Sequence, residues 1–242
     1  MTSPRRILLG VWIGAIVGAA ALLFALHGLP HPTRELAFWL AACIAGELLW
    51  VRLPVGAATI SMAACFNFAA LLVLPMPSAM AVTALATVLA ELSIMHKKPL
   101  RALFNAAQTT LAVAAASTTF HTMGGNRPLI DLVSTLHLLP FVAAALAYYL
   151  VNRGAVVVVV AAAESISPRE SWRKNFGNGY DLLASGAGFS LGVLLATHYS
   201  SIGMVGTLFV ALPLILACDG YRRLMGDSRD AKTPDESERR AA

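Results

Sequence analysis

Eight apolar runs divide the chain, separated by short stretches carrying proline, glycine or charge. A helix needs about 20 apolar residues to cross the hydrocarbon core of a bilayer, with roughly 17–25 usual. On that measure the runs predict membrane helices over residues 7–27, 36–51, 57–75, 78–95, 102–121, 132–162, 180–199 and 202–219. The second is short at its apolar limits and must borrow flanking residues. Pro30, Pro32, Pro54, Pro75, Pro77 and Pro128 fall between runs or at their ends, where a missing N–H donor does least harm.

The sixth run is long and is interrupted by Asn152-Arg153-Gly154, so it reads either as one tilted helix or as two pieces that turn there. The excess of Lys and Arg in cytoplasmic loops decides between them. With the amino terminus inside, an unbroken sixth span leaves Arg52, Lys97, Lys98, Arg101, Arg169, Arg173, Lys174, Arg222 and Arg223 on the cytoplasmic side. Only Arg34 and Arg127 then lie outside; splitting the run exports the cluster from Arg169 to Lys174. The predicted fold is therefore an all-α, polytopic transmembrane bundle of about eight spans with both termini cytoplasmic. Ser165 to Tyr180, with Trp172 and Phe176 among basic residues, predicts a short interfacial helix. Residues 1–224 form one membrane domain. Residues 225–242 are polar, without aliphatic or aromatic bulk from Asp227 onward, and predict a disordered cytoplasmic tail.

Composition supports this picture: 57% of residues are hydrophobic and 13% charged, where a soluble domain carries about 25% charge. The net charge of +5 is explained by topology, because most Lys and Arg sit in short loops, and nucleic acid is not an expected partner. Cys43, Cys65 and Cys218 are scattered through apolar segments without a CxxC or Cys/His spacing, which predicts packing residues rather than disulfides or metal ligands. His27 and His31 are four apart, but Pro30 between them spoils a helical ligand face; no metal and no cofactor is expected. The run after Arg5-Arg6 resembles a signal sequence yet is long for one and lacks a clear cleavage site, so it reads as an uncleaved first helix.

Ionisable groups inside a membrane cost about 2.5–3.5 kcal/mol each on insertion scales, which makes them functional candidates. Here they are Glu47, Glu91 and Arg153, with Asn67, Asn105, Gln108 and Asn152 as neutral companions. Glu47 and Glu91 each lie about 6 Å before the inner end of their spans. Arg101, Asn105 and Gln108 open the fifth span from the same side on one face, and Arg153 sits in the inner part of the sixth. The five residues Glu47, Glu91, Asn105, Gln108 and Arg153 thus predict one polar layer in the cytoplasmic third of the bundle. Either they satisfy one another, with Glu47 or Glu91 pairing with Arg153 or Arg101, or they form a ligand or ion site. Gly10, Gly14 and Gly18 make one small-residue face and Gly188 and Gly192 another, spacings that permit close helix packing within the chain or against a partner. HExxH, GxSxG, P-loop and dinucleotide motifs are all missing.

From Glu47 the chain runs through Leu53-Pro54-Val55-Gly56, Ile60-Ser61 and Pro75, then Arg101 and Phe104-Asn105-Ala106-Ala107-Gln108, to Gly124-Gly125. This order resembles the MASE-like membrane-associated sensor domains that precede HD-GYP or GGDEF modules in bacterial cyclic-di-GMP signalling. Those are loosely similar to the S-components of energy-coupling-factor vitamin transporters. The resemblance covers residues 36–220, most clearly 47–125, and Glu47, Asn105 and Gln108 match its pattern. It implies a multi-pass, ligand-sensing bundle in a bacterial inner membrane. After Tyr221-Arg222-Arg223 only a polar tail follows, so no enzymatic output is expected in this chain. The expected function is a non-enzymatic membrane sensor that binds a small ligand or a separately encoded partner within the bilayer. The alternatives are the substrate-binding subunit of a small-molecule transporter, or a membrane enzyme using Glu47 or Glu91 as acid or base.

Overall fold

The first apolar run is helical at Gly10, Gly14, Val17, Gly18, Ala21 and Leu22. Besides these, the computed structural model describes residues 33–52, 59–125, 135–177 and 179–230; His27 and His31 lie outside the described residues.

Helix α1 (Thr33–Leu48) holds the second run. The chain then departs from expectation. Residues 57–75 read as one apolar span, but Thr59–Ser61 is extended (β2) and pairs antiparallel with Trp50–Arg52 (β1), with Val51 opposite Ile60. The β-branched residues Val51, Thr59 and Ile60 favour extended backbone. Pairing also gives the N–H and C=O groups leaving α1 partners that an apolar environment would not supply. Helix α2 is consequently only Ala63–Val73, roughly 16 Å long, which is short of the hydrocarbon thickness. It is buried almost all round, with Cys65, Phe66, Phe68, Leu71 and Leu72 at 1% exposure or less. That is the signature of a helix at the centre of a bundle rather than on its rim.

Leu74 adopts extended backbone before Pro75, as a residue preceding proline must, and Pro77 sits in the first turn of α3 (Met76–Leu89). The helix then widens into a π-turn, Ala90–Ile94, with Met95 N–H donating to the Ala90 carbonyl at 2.9 Å. Helix α4 (Pro99–Thr122) begins on a proline and packs against α3 and α5 (Thr135–Glu164). Helix α5 is continuous through Asn152-Arg153-Gly154, so the sixth run is one helix. The short helix α6 (Pro168–Phe176) is where the interfacial helix was expected, its amino end capped by Ser167 Oγ accepting from Glu170 N–H at 3.1 Å.

Helix α7 (Gly179–Asp230) contains the last two runs and is broken at Gly203, whose φ of 75° and ψ of −163° only glycine adopts easily. The break reverses the chain. Gly192, about 16 Å before it, lies against the Cys65 carbonyl; Ala211, about 12 Å after it, is buried in the same core as Cys65, with Ile215 packed against that core. Both halves of α7 therefore return to α2. Helical backbone continues to Asp230, past the boundary expected at residue 224; residues 231–242 lie outside the described set.

Leu138, Val142, Leu146 and Leu150 form an exposed stripe on α5, and Ile202, Val205, Leu208, Phe209, Leu212 and Leu216 do the same on α7. Exposed apolar surface on this scale belongs in lipid. Three helices among the described residues are long and apolar enough to cross a membrane: Met76–Ile94, Leu138–Glu164 and Gly179–Tyr221. Helix α4 has the length, but Arg101, Asn105, Gln108 and its threonines lower its hydropathy.

Candidate functional site

A cavity of about 440 Å³ opens between α1, the start of α2, the α3 end, α4, α5 and the first half of α7. The start of α2 gives only Met62, Ala63 and Ala64; the other elements contribute polar groups. Helix α4 supplies Asn105, Gln108 and Thr109, which share one face. Helix α5 supplies Tyr148 and Tyr149 and, one turn on, Asn152 and Arg153. Glu47 reaches in from the last turn of α1, Thr87 from α3, Glu91 from the π-turn, and Ser185, Gly188 and Phe189 from α7. Glu47, Glu91, Asn105, Gln108 and Arg153, placed at one depth by the sequence, all line this space.

Their pairing differs from what the sequence suggested. Glu91 does not meet an arginine: its carboxylate accepts from Lys97 Nζ at 2.6 Å and from Asn105 Nδ2 at 2.8 and 2.9 Å. The π-turn explains this. The extra residue in the turn lets the chain fold back at once, so Lys97 N–H reaches the Glu91 carbonyl at 2.8 Å and the lysine side chain reaches its carboxylate. Arg101 is exposed and does not line the cavity. Arg153 pairs instead with Asp181, through Nε to Oδ2 at 3.1 Å and Nη2 to Oδ1 at 2.7 Å, while Tyr149 O–H donates to Oδ2 at 3.0 Å. Asp181 occupies the first turn of α7, where a helix favours negative charge. The guanidinium also lies 5.0 Å from the Phe176 ring centroid and 5.9 Å from that of Tyr149, so α6 helps hold it.

Glu47 is different. It accepts from Thr87 Oγ1 at 2.8 Å, and no cation is paired with it among the described residues. Gln108 likewise presents a buried Oε1 without a hydrogen-bond donor. Tyr148 and Phe189 line the cavity and meet edge to face with centroids 5.4 Å apart, and Phe68 packs behind them, 4.9 Å from Phe189. Asn67, a companion in the sequence reading, is buried beside Thr83 and does not line the cavity.

The glycine faces split. A Cβ on Gly18 would lie 2.2 Å from Ala107 Cβ, and one on Gly14 would be 3.3 Å from Phe104, so this face is packed tightly on α4 of the same chain. Gly10 has nothing within reach. On α7 a Cβ at Gly192 would meet the Cys65 carbonyl at 2.7 Å, whereas at Gly188 it would meet nothing, because Gly188 borders the cavity instead of a helix. The helix-packing role expected of Gly188 is therefore not its role here.

Lys97, Thr87, Tyr148, Tyr149, Asp181 and Ser185 were not singled out as candidates by sequence. Asp181 had a signal, as the only acidic residue between Glu170 and Asp219, but it lay at the edge of its run. Outside the layer, Lys174 binds Glu164 at 2.6 Å on an exposed surface; that hydrogen bond raises the ammonium's pKa. The three cysteines are free thiols.

Neither a curated protein nor a solved structure matches the chain. The sequence model of one family, MASE9, a family of membrane-associated sensor domains, matches residues 35–218, a span that takes in every residue lining the cavity. The chain belongs to the MASE9 family of membrane-associated sensor domains.

Proposed function

We propose that this chain is a non-catalytic membrane sensor that binds a small polar molecule in the cavity and passes its occupancy to a separately encoded partner. The observation that carries this is the cavity itself. Its volume is that of a small-molecule site, and charged, amide and hydroxyl side chains from α1, α3, α4, α5 and α7 converge on it beside apolar ones. Fully packed polar layers serve stability; among the described residues this one leaves a carboxylate without a cation and an amide oxygen without a donor. Arg153 and Asp181 link the cavity wall to the first half of α7, and beyond the break at Gly203 the second half runs on to Asp230, which gives occupancy a route to the carboxyl end. The membrane arrangement proposed with it is multi-pass, in a bacterial inner membrane, with eight spans and both ends cytoplasmic.

The test is mass spectrometry of small molecules released from the detergent-purified protein, compared with Gly188→Val. The new side chain enters open space beside the cavity and meets no neighbouring backbone. The expected result is a molecule that co-purifies with the wild type and is lost from a variant whose thermal stability is unchanged. Retention of the same molecule by a folded Gly188→Val protein would place it elsewhere and defeat the proposal.

A further inference from the structure

Among the described residues, the charges lining the cavity do not balance, and the imbalance has one sign. Glu91 is matched by Lys97, and Arg153 by Asp181. Among the described residues Glu47 has only the Thr87 hydroxyl, so one carboxylate is left over there. The unmet hydrogen-bonding capacity points the same way: Gln108 Oε1 is an acceptor, and a carboxylate accepts at both oxygens while one hydroxyl serves Glu47. A part-buried carboxylate that meets one hydroxyl on a cavity wall is better held when a cation or several donors reach it. The cavity is far larger than a bare metal ion requires, and Tyr148 and Phe189 place aromatic rings, which attract cations, along its wall.

Resting on the reading of this cavity as a ligand site, we infer that its ligand is a small organic cation whose N–H groups donate to Glu47 and Gln108 and whose body lies beside Tyr148 and Phe189. Anions are disfavoured by Glu47 and Glu91 together, because the one cation on the wall among the described residues, Arg153, already holds a two-point bond to Asp181. Neutral ligands of the same shape fill the space without meeting the charge.

Three isosteric probes separate these cases: benzamidinium, benzamide and benzoate share a ring and differ in charge. Each is added at millimolar concentration to the purified full chain in detergent, and the thermal unfolding midpoint is followed as a function of probe concentration. Benzamidinium should raise the midpoint at about tenfold lower concentration than benzamide, the margin of one charge-assisted hydrogen bond over a neutral one, and benzoate should not raise it. In Glu47→Gln, which keeps the shape and the Thr87 contact, benzamidinium should fall to the level of benzamide. Equal stabilisation by benzamide or benzoate in the wild type overturns the inference yet leaves the cavity as a ligand site. Silence from all three probes also overturns it. If a neutral or anionic molecule nonetheless co-purifies with the wild type and not with Gly188→Val, the cation assignment alone has failed.

Discussion

Lys97→Met removes the cation from Glu91 and isolates the question of whether the polar layer is held by buried charge. The Glu91 side chain is 4% exposed and that of Lys97 is 29% exposed. Stranding a fully buried charge costs about 3–5 kcal/mol, whereas a surface pair contributes about 0–1 kcal/mol. The lysine is part-exposed, while the carboxylate borders the cavity and keeps its two Asn105 hydrogen bonds, so the expected loss lies between these limits, about 2–3 kcal/mol. At roughly 2–4 °C per kcal/mol for a domain of this size, the unfolding midpoint should fall by about 4–12 °C. Glu91→Gln in the same background should restore at least half of that, because a neutral amide still meets Asn105 and leaves no stranded charge. Lys174→Met is the control. Its pair with Glu164 has the same 2.6 Å separation, but the two side chains are 61% and 42% exposed, and its loss should leave the midpoint nearly unchanged. The assay is intrinsic tryptophan fluorescence in detergent at one fixed scan rate. Equal small shifts for Lys97→Met and Lys174→Met, or no recovery in the double variant, would refute the reasoning that burial separates the two pairs.

The two glycine faces make a paired prediction. Gly18→Ala and Gly192→Ala should lower thermal stability, since each new methyl overlaps a neighbour, while Gly10→Ala and Gly188→Ala should not. Arg153→Met strands Asp181 and should cost about 2–4 kcal/mol, with Arg153→Met/Asp181→Asn less damaged than the single change; additive losses in the unfolding midpoint would show that the pair is not coupled. Reporter fusions at Lys97, at Arg173 and after Tyr221 should all report cytoplasm and one at Gly125 the far side; a periplasmic signal at Arg173 contradicts the eight-span arrangement.

Length and hydropathy made most of the helices legible, because both are local. Segment six could be read as one helix because loop charge is a property of the whole chain, and α5 is indeed continuous. The stretch 59–61 was misread for the opposite reason: Thr59–Ser61 sits within an apolar run, and only its pairing with Trp50–Arg52 makes it a strand. Depth along each run brought Glu47, Glu91, Asn105, Gln108 and Arg153 to one level, and they line one cavity. Which acid meets which base was not legible, since that depends on helix neighbours and on a π-turn with no sequence mark. Asp181 and Lys97 sit at the edges of their runs, where a charge looks solvated until the fold brings Arg153 or Glu91 against it. Gly188 and Gly192 show the same limit, one spacing serving a cavity wall and a helix contact.

The central claim is that the polar layer is an accessible cavity and not a packed network, and thiol labelling tests it most directly. In a Cys218→Ser background, where the remaining Cys43 and Cys65 are buried, Ser185→Cys puts a near-isosteric thiol on the cavity wall. Ser117→Cys puts one in the buried core away from it. With a charged, water-soluble reagent, 2-aminoethyl methanethiosulfonate, the account predicts rapid labelling at position 185, slowed by benzamidinium, and none at position 117. Labelling at 185 no faster than at 117 would contradict it.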